Sequence, residues 1–257
     1  HRLLESGVLR QGSLSKAARG YHLAQGNNER PVTRLAVLPV AAKASVEQGL
    51  EAALESALAH WLYHDEIWLR GNAKAKAEIL LAIARVRHAL VLFGGIVPRK
   101  ATTHLRALLN DADAVLLAAD TADEALFRTE VVGAKLALTE WLVQRGWRPF
   151  LNEAGEKKIA GSFKRFADIH LSRVAAELRS AVQHLAVEDA ADQLPKLSRD
   201  IDSVQLLAGA YGDAVAPWLE NWQELQRAIE HDDRSVFEYF RRQALAAEPF
   251  WLHSGKR

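Results

Sequence analysis

The sequence predicts an all-α protein arranged as two four-helix bundles. From about residue 43 to the end, apolar residues recur at the three-and-four spacing of helices. Caps, glycines and prolines cut this periodic region into eight segments. A polar run at 152–158 separates the first four from the last four, which points to a pair of bundles and an internal duplication. With 257 residues, 49% of them hydrophobic and 25% charged, the chain can bury a sizeable core and lies far from a disordered composition.

Residues 1–42 precede the periodic region. Gly7, Gly12, Gly20 and Gly26 punctuate short runs there, and Pro31 and Pro39 bracket a linker-like segment. The first helix opens at Ser45, where Gln48 three residues on completes a capping box. Val46, Leu50, Leu54, Leu58 and Leu62 carry it to about Arg70, and Gly71-Asn72 ends it. The second runs from about Ala73 to Phe93 and closes on Gly94-Gly95. Pro98 suits the first position of a third helix reaching about Ala118, because an N–H there would have no helical partner. Thr121 with Glu124 caps a fourth, which is expected to run to about Trp147 and meets Pro149.

After the polar run, a fifth helix begins at Ser162 and ends near Leu185. Pro195 suits the first turn of a sixth, ending near Gly209. A seventh lies around 217–230 and an eighth around 235–247, ahead of a tail, 248–257, that is aromatic and then basic. Trp61 with Trp68, and Trp218 with Trp222, share helix faces at spacings of seven and four, as core residues do.

The chain has no cysteine, which excludes disulfides, thiolate zinc sites, iron–sulfur clusters and a cysteine nucleophile, and permits a reducing cytoplasm. It begins at His1 and contains no Met, so it is expected to be a piece of something longer. A formal net charge of +1 leaves no overall basic footprint for nucleic acid, so any anion site must be local. The most apolar stretch, 79–97, is interrupted by Arg85, Arg87 and His88 and is too short and too charged to span a bilayer. No signal peptide opens the sequence.

Two stretches stand out for charge. Residues 94–106, GGIVPRKATTHLR, hold Arg99, Lys100 and Arg106 with His104 and no acid, and Arg99, Thr103 and Arg106 line one side of the third helix. Its first turn adds free N–H groups and the positive helix end, so the stretch reads either as a phosphate cradle or as a solvated helix start. The fifth helix, around 162–179, buries Phe163, Phe166, Ala167, Leu171, Val174 and Leu178 on one face. His170 falls inside that stripe, Arg173 at its edge, and Lys164, Arg165 and Arg179 elsewhere. Arg85 and Arg87 in the second helix either snorkel outward or pair with acids. If corresponding helices of the two bundles met, these cations would converge on one anionic surface.

His60 and His64 have a zinc-compatible spacing, but neither an HExxH pattern nor a third ligand lies near them in sequence, so no metal site is expected. Asp200 with Asp202, and Asp232 with Asp233, are indistinguishable from surface and cap acids. Serine elbows, phosphate-binding glycine loops and dinucleotide fingerprints are absent, and no catalytic residue is assigned.

FGGIVPRKATTHLR (93–106), KLALTEWLV (135–143), SFKRFADIHLSR (162–173) and EPFWLHSGKR (248–257) closely resemble the C-terminal part of bacterial inorganic triphosphatases built from a CYTH domain followed by a CHAD domain. The resemblance implies that 43–150 and 151–257 form the two four-helix bundles of a CHAD domain, the histidine α-helical domain, related by a pseudo-twofold. It implies that 1–42 is the end of the β-rich CYTH domain with a linker, and Lys16 a remnant of its tunnel wall. The tunnel's ExExK signature does not occur in the chain, so no hydrolysis is expected from it. His170 with Arg173 resembles the family's histidine and following arginine, whereas the first half offers Arg85 and Arg87 with no histidine one turn ahead.

The function so implied is a polyphosphate-binding module that uses a basic surface without catalysis. The expected contacts come from Arg85, Arg87, Arg99, Lys100, His104, Arg106, Lys164, Arg165, His170, Arg173 and Arg179. Inorganic polyphosphate or triphosphate is the expected partner, with no nucleic acid and no membrane. No cofactor is expected here, Mg or Mn belonging to the parent triphosphatase domain. The location implied is cytoplasmic, with polyphosphate granules a further implication. The alternatives are a part of an active metal-dependent triphosphatase and a helical protein-interaction scaffold, for which Phe250 and Trp251 are the pointer.

Overall fold

The computed structural model describes residues 11, 12, 24, 30–41 and 43–252, and these are all-α, with no strand beyond a single antiparallel bridge between Ser45 and Ser162. Ten α-helices follow in order among the described residues: α1 Val46–Leu69, α2 Lys74–Leu92, α3 Arg99–Ala118, α4 Ala122–Leu126, α5 Thr129–Val143, α6 Glu153–Ile159, α7 Phe163–Val182, α8 Ala190–Leu207, α9 Ala216–Glu230 and α10 Arg234–Ala246. Short 3₁₀ turns join several of them. No helix among the described residues is long and apolar enough to cross a membrane. Most of the segment resembling a CYTH remnant, Lys16 included, lies outside the described residues.

The starts of the early helices are as the caps predict. Ser45 Oγ accepts from the Gln48 N–H at 3.2 Å while Gln48 Oε1 accepts from the Ser45 N–H at 2.8 Å, so α1 opens on a reciprocal box. Its end is set by Gly71, whose φ of +93° is cheap only without a Cβ. Pro98 stands one position earlier than expected, at the extended N-cap of α3, with Arg99 the first helical residue.

Three expectations needed correcting. The fourth predicted helix is two: Thr121 and Glu124 do form a capping box, but α4 stops at Leu126, Arg128 is extended, and α5 restarts at Thr129. The buried stripe Ala122, Ala125, Leu126 would continue through Thr129, Glu130 and Gly133. Burying Val131, Val132, Lys135 and Leu138 requires a different phase, and the break supplies it. The polar run at 152–158 is largely helical. Asn152 Oδ1 accepts from the Gly155 N–H at 2.8 Å, Glu153 and Glu156 occupy the first turn of α6, and Lys157 and Lys158 occupy its last. Finally, Pro195 lies inside α8, which begins at Ala190, so the proline leaves one early carbonyl without its helical donor.

The chain divides into two compact units, 1–35 with 53–156 and 36–52 with 157–257. In the first, α3 lays Ala101, Leu105, Leu109, Ala112 and Leu116 against α5, and Trp141 Nε1–H donates to the Ala101 carbonyl at 3.1 Å. Asp65 on α1 and Lys135 on α5 form an ion pair at 2.5 Å with both side chains fully buried. Trp61 and Trp147 are wholly buried in this unit.

In the second unit, α7 packs on α8, α8 on α9 and α9 on α10. Segment 36–52 is threaded into it. The Leu38 N–H donates to the Gln205 carbonyl at 2.9 Å, and Gly209 lies so close to the Leu38 carbonyl that a Cβ would sit 1.6 Å from its oxygen. Gly49 likewise leaves room for the Phe163 ring. Trp218 and Trp222 are buried beside Phe250 and Trp251, so those two tail aromatics are core and not an exposed docking segment.

Candidate anion-binding site

The helix α3 starts without a side-chain cap and without an acid in its first turn. Arg99, Lys100, Thr103 and His104 are exposed there, and Arg106 is half-buried one turn on. Two hydrogen bonds organise the group: Thr103 Oγ1–H donates to the Arg99 carbonyl and Arg106 Nε–H donates to Thr102 Oγ1, each at 3.0 Å. Lys100 Nζ lies 5.7 Å from the Phe150 ring centre, a cation–π contact of the ammonium with the ring face. Arg99, Lys100 and Arg106 form no ion pair among the described residues. Burial, and then the like charge of Arg99, pushes the Arg106 guanidinium below its ordinary value. Like charges are thus gathered at a positive helix end with no carboxylate among the described residues to balance them, which is the arrangement an anion completes.

The other two cations assigned to this unit are spent inside it. Arg85 is 1% exposed, so its guanidinium is no part of a surface. Arg87 donates to Asp113 Oδ2 and to the Leu109 carbonyl, both at 3.0 Å, which ties α2 to α3 and neutralises the charge. The dichotomy of snorkelling against pairing is resolved for Arg87 as pairing.

On α7, Ser162 accepts from the Arg165 N–H and starts the helix. Phe163, Ala167, Leu171, Val174 and Leu178 are buried as the stripe predicts, and Phe166 is half-buried. Arg165 is exposed and pairs with no carboxylate among the described residues. Lys164 lies over the Tyr211 ring at 4.8 Å and 3.5 Å from Asp168, whose Oδ1 accepts from the Tyr211 hydroxyl. Arg173 is exposed, with Glu177 at a loose 3.7 Å. Arg179 is structural: its Nη2 donates to the Ala247 carbonyl at 2.9 Å and pins the end of α10. His170 stacks on Phe166 at 4.2 Å, its Nδ1 is buried without a hydrogen-bond partner, and burial, then Arg173, pushes its pKa below the usual histidine range.

The structure therefore gathers Arg99, Lys100 and Arg106 into one group with His104 beside them, and leaves Arg165 and Arg173 accessible on α7. It withdraws Arg85, Arg87 and Arg179. Phe150, which holds Lys100, was missed because it lies beyond the break at Val143, where sequence spacing carries no facing information. Glu78 was missed for the same reason: it comes from α2 to His60 and His64 on α1.

A family model described as the CHAD domain matches residues 52–242. Among solved structures, the CHAD domain from the plant Ricinus communis is similar, with a TM-score of 0.53 at 16% identity over 85% of this chain and 91% of that one, a likeness of fold. With the family model spanning most of its length, the chain belongs to the CHAD-domain family.

Proposed function

We propose that this chain is a non-catalytic module that binds inorganic polyphosphate through local cationic surfaces. The observation that supports it most is the start of α3, where Arg99, Lys100 and Arg106 are gathered with no acid partner among the described residues. A polyphosphate carries about one negative charge per phosphate and, like other polyanions, holds condensed counterions that each protein cation displaces on binding. Arg99 and Arg106 supply planar forks for pairs of phosphate oxygens, and Lys100 supplies a mobile point charge. Arg165 and Arg173 offer a second set on α7. His170 supplies no charge near neutral pH, because its ring is held neutral.

The parent context implied by the sequence resemblance is an inorganic triphosphatase in which a CYTH domain does the hydrolysis and this chain holds substrate or polymer. The test is a polyphosphate titration at two salt concentrations, for the chain as it stands and with Arg99→Ala and Lys100→Ala combined. Affinity should fall steeply with salt, and the double variant should bind more weakly with a log–log slope shallower by about two units, roughly one per lost contact. Binding indifferent to both changes overturns the proposal. Release of phosphate from triphosphate by this chain with Mg2+ would overturn its non-catalytic part.

A further inference from the structure

A second polar constellation in the first unit has donors of a different kind. His60 and His64 stand one turn apart on α1, and Glu78 of α2 faces them. His64 is fully buried, and the His60 and Glu78 side chains are 10% and 11% exposed. Their candidate ligand atoms lie within 4.8 Å of one another. A tetrahedral Zn2+ about 2.0–2.1 Å from each ligand wants them roughly 3.3–3.5 Å apart, so a small rotation of long side chains closes the gap.

His64 already stands in the tautomer of a metal ligand. His64 Nδ1–H donates to the His60 carbonyl at 2.8 Å, which leaves the lone pair on Nε2, as a backbone carbonyl does behind many metal-bound imidazoles. That lone pair accepts only a long 3.2 Å bond from the Thr33 N–H. His60 Nε2 and Glu78 Oε2 lie 3.0 Å apart, in the place a divalent cation would take. Two imidazole nitrogens and one carboxylate suit zinc, whereas magnesium and calcium require a shell of oxygens.

We propose that His60, His64 and Glu78 form a three-ligand zinc site within the first unit, independent of the polyanion-binding surface. On binding, Zn2+ bonds to His60 Nε2, His64 Nε2 and a Glu78 carboxylate oxygen. The neutral His60 ring keeps its single proton on Nδ1, so its Nε2 lone pair is free for the metal, and water completes the fourth position. Zinc at His64 Nε2 also displaces the Thr33 N–H. The connector 30–35 then loses one of its clips on α1, others being the Tyr63 hydroxyl donating to the Pro31 carbonyl at 3.0 Å and the Arg30 guanidinium over the Tyr63 ring at 5.1 Å.

The experiment is a Zn2+ titration of the whole chain, with Co2+ as the spectroscopic stand-in and hydrogen exchange at the Thr33 amide followed alongside. One Zn2+ per chain is expected, at least tenfold weaker in His60→Gln and in Glu78→Gln and unchanged in His231→Gln, an exposed histidine of the other unit. Thr33 exchange should quicken with zinc. Absence of binding, or equal binding by both ligand variants and the parent, overturns the site. Thr33 exchange unmoved by bound zinc removes His64 from the ligand set and overturns it as well. Glu78→Gln keeps a hydrogen-bond acceptor for His60, so it remains informative if His60→Gln does not fold.

Discussion

His170 shows how a single position can look functional and be held for packing. Its ring lies on Phe166, its Nδ1 is buried, and desolvation with the neighbouring Arg173 disfavours the imidazolium. The folded-state pKa is therefore below the unfolded value near 6.5. Above about pH 6.5 both states are neutral and the contribution to stability is complete. As pH falls from there, the unfolded chain takes up the proton first and stability is lost until the folded pKa is reached. Urea midpoints at pH 7.5 and pH 5 should differ, and His170→Phe should shrink that difference. An unaltered difference would mean that His170 is not the group responsible. The sequence placed His170 in the apolar stripe but could not tell whether the ring found a hydrogen-bond partner, because that depends on what other elements bring to it. Arg85 and Arg87 were ambiguous in the same way, and only the position of Asp113 on α3 resolves Arg87.

At the scale of elements, legibility follows sequence separation. The acid-free start of α3 was readable because every residue that sets its field is within the same dozen positions. The box at Ser45 and the glycine stop at Gly71 were readable for the same reason. The split between α4 and α5 left a local trace, a change of phase after Leu126, which a reading from caps alone passes over. The pair of Asp65 and Lys135, 70 residues apart on α1 and α5, left none: nothing within KLALTEWLV points to an acid on a distant helix. Both side chains are fully buried, so removing one partner strands the other. Lys135→Ala should cost about 3–5 kcal/mol in chemical denaturation, and replacing both by apolar residues of similar volume should recover most of it. A loss below about 1 kcal/mol for the single change would show that the charge escapes to water.

On the scale of the whole molecule, the second unit is discontinuous in sequence. Leu38, Val46 and Leu50 are core residues contributed by 36–52, and the rest of the unit follows only after 53–156. A fragment of 157–252 should therefore lack a native core, and a peptide of 36–52 added in trans should restore cooperative melting by circular dichroism. Independent cooperative folding of the fragment would show that the peptide segment is dispensable. The same threading, tightest where Gly209 meets the Leu38 carbonyl, bears on synthesis. A ribosome delivers this segment early and its partners last, so three large apolar side chains wait through the making of 53–156. The final pairing closes a long loop, at a cost that grows only slowly with its length but that delays the contact. During translation this segment is thus the part of the chain most in need of a chaperone's cover, and substitutions that lower its apolarity should trade native stability for a cleaner yield of folded protein.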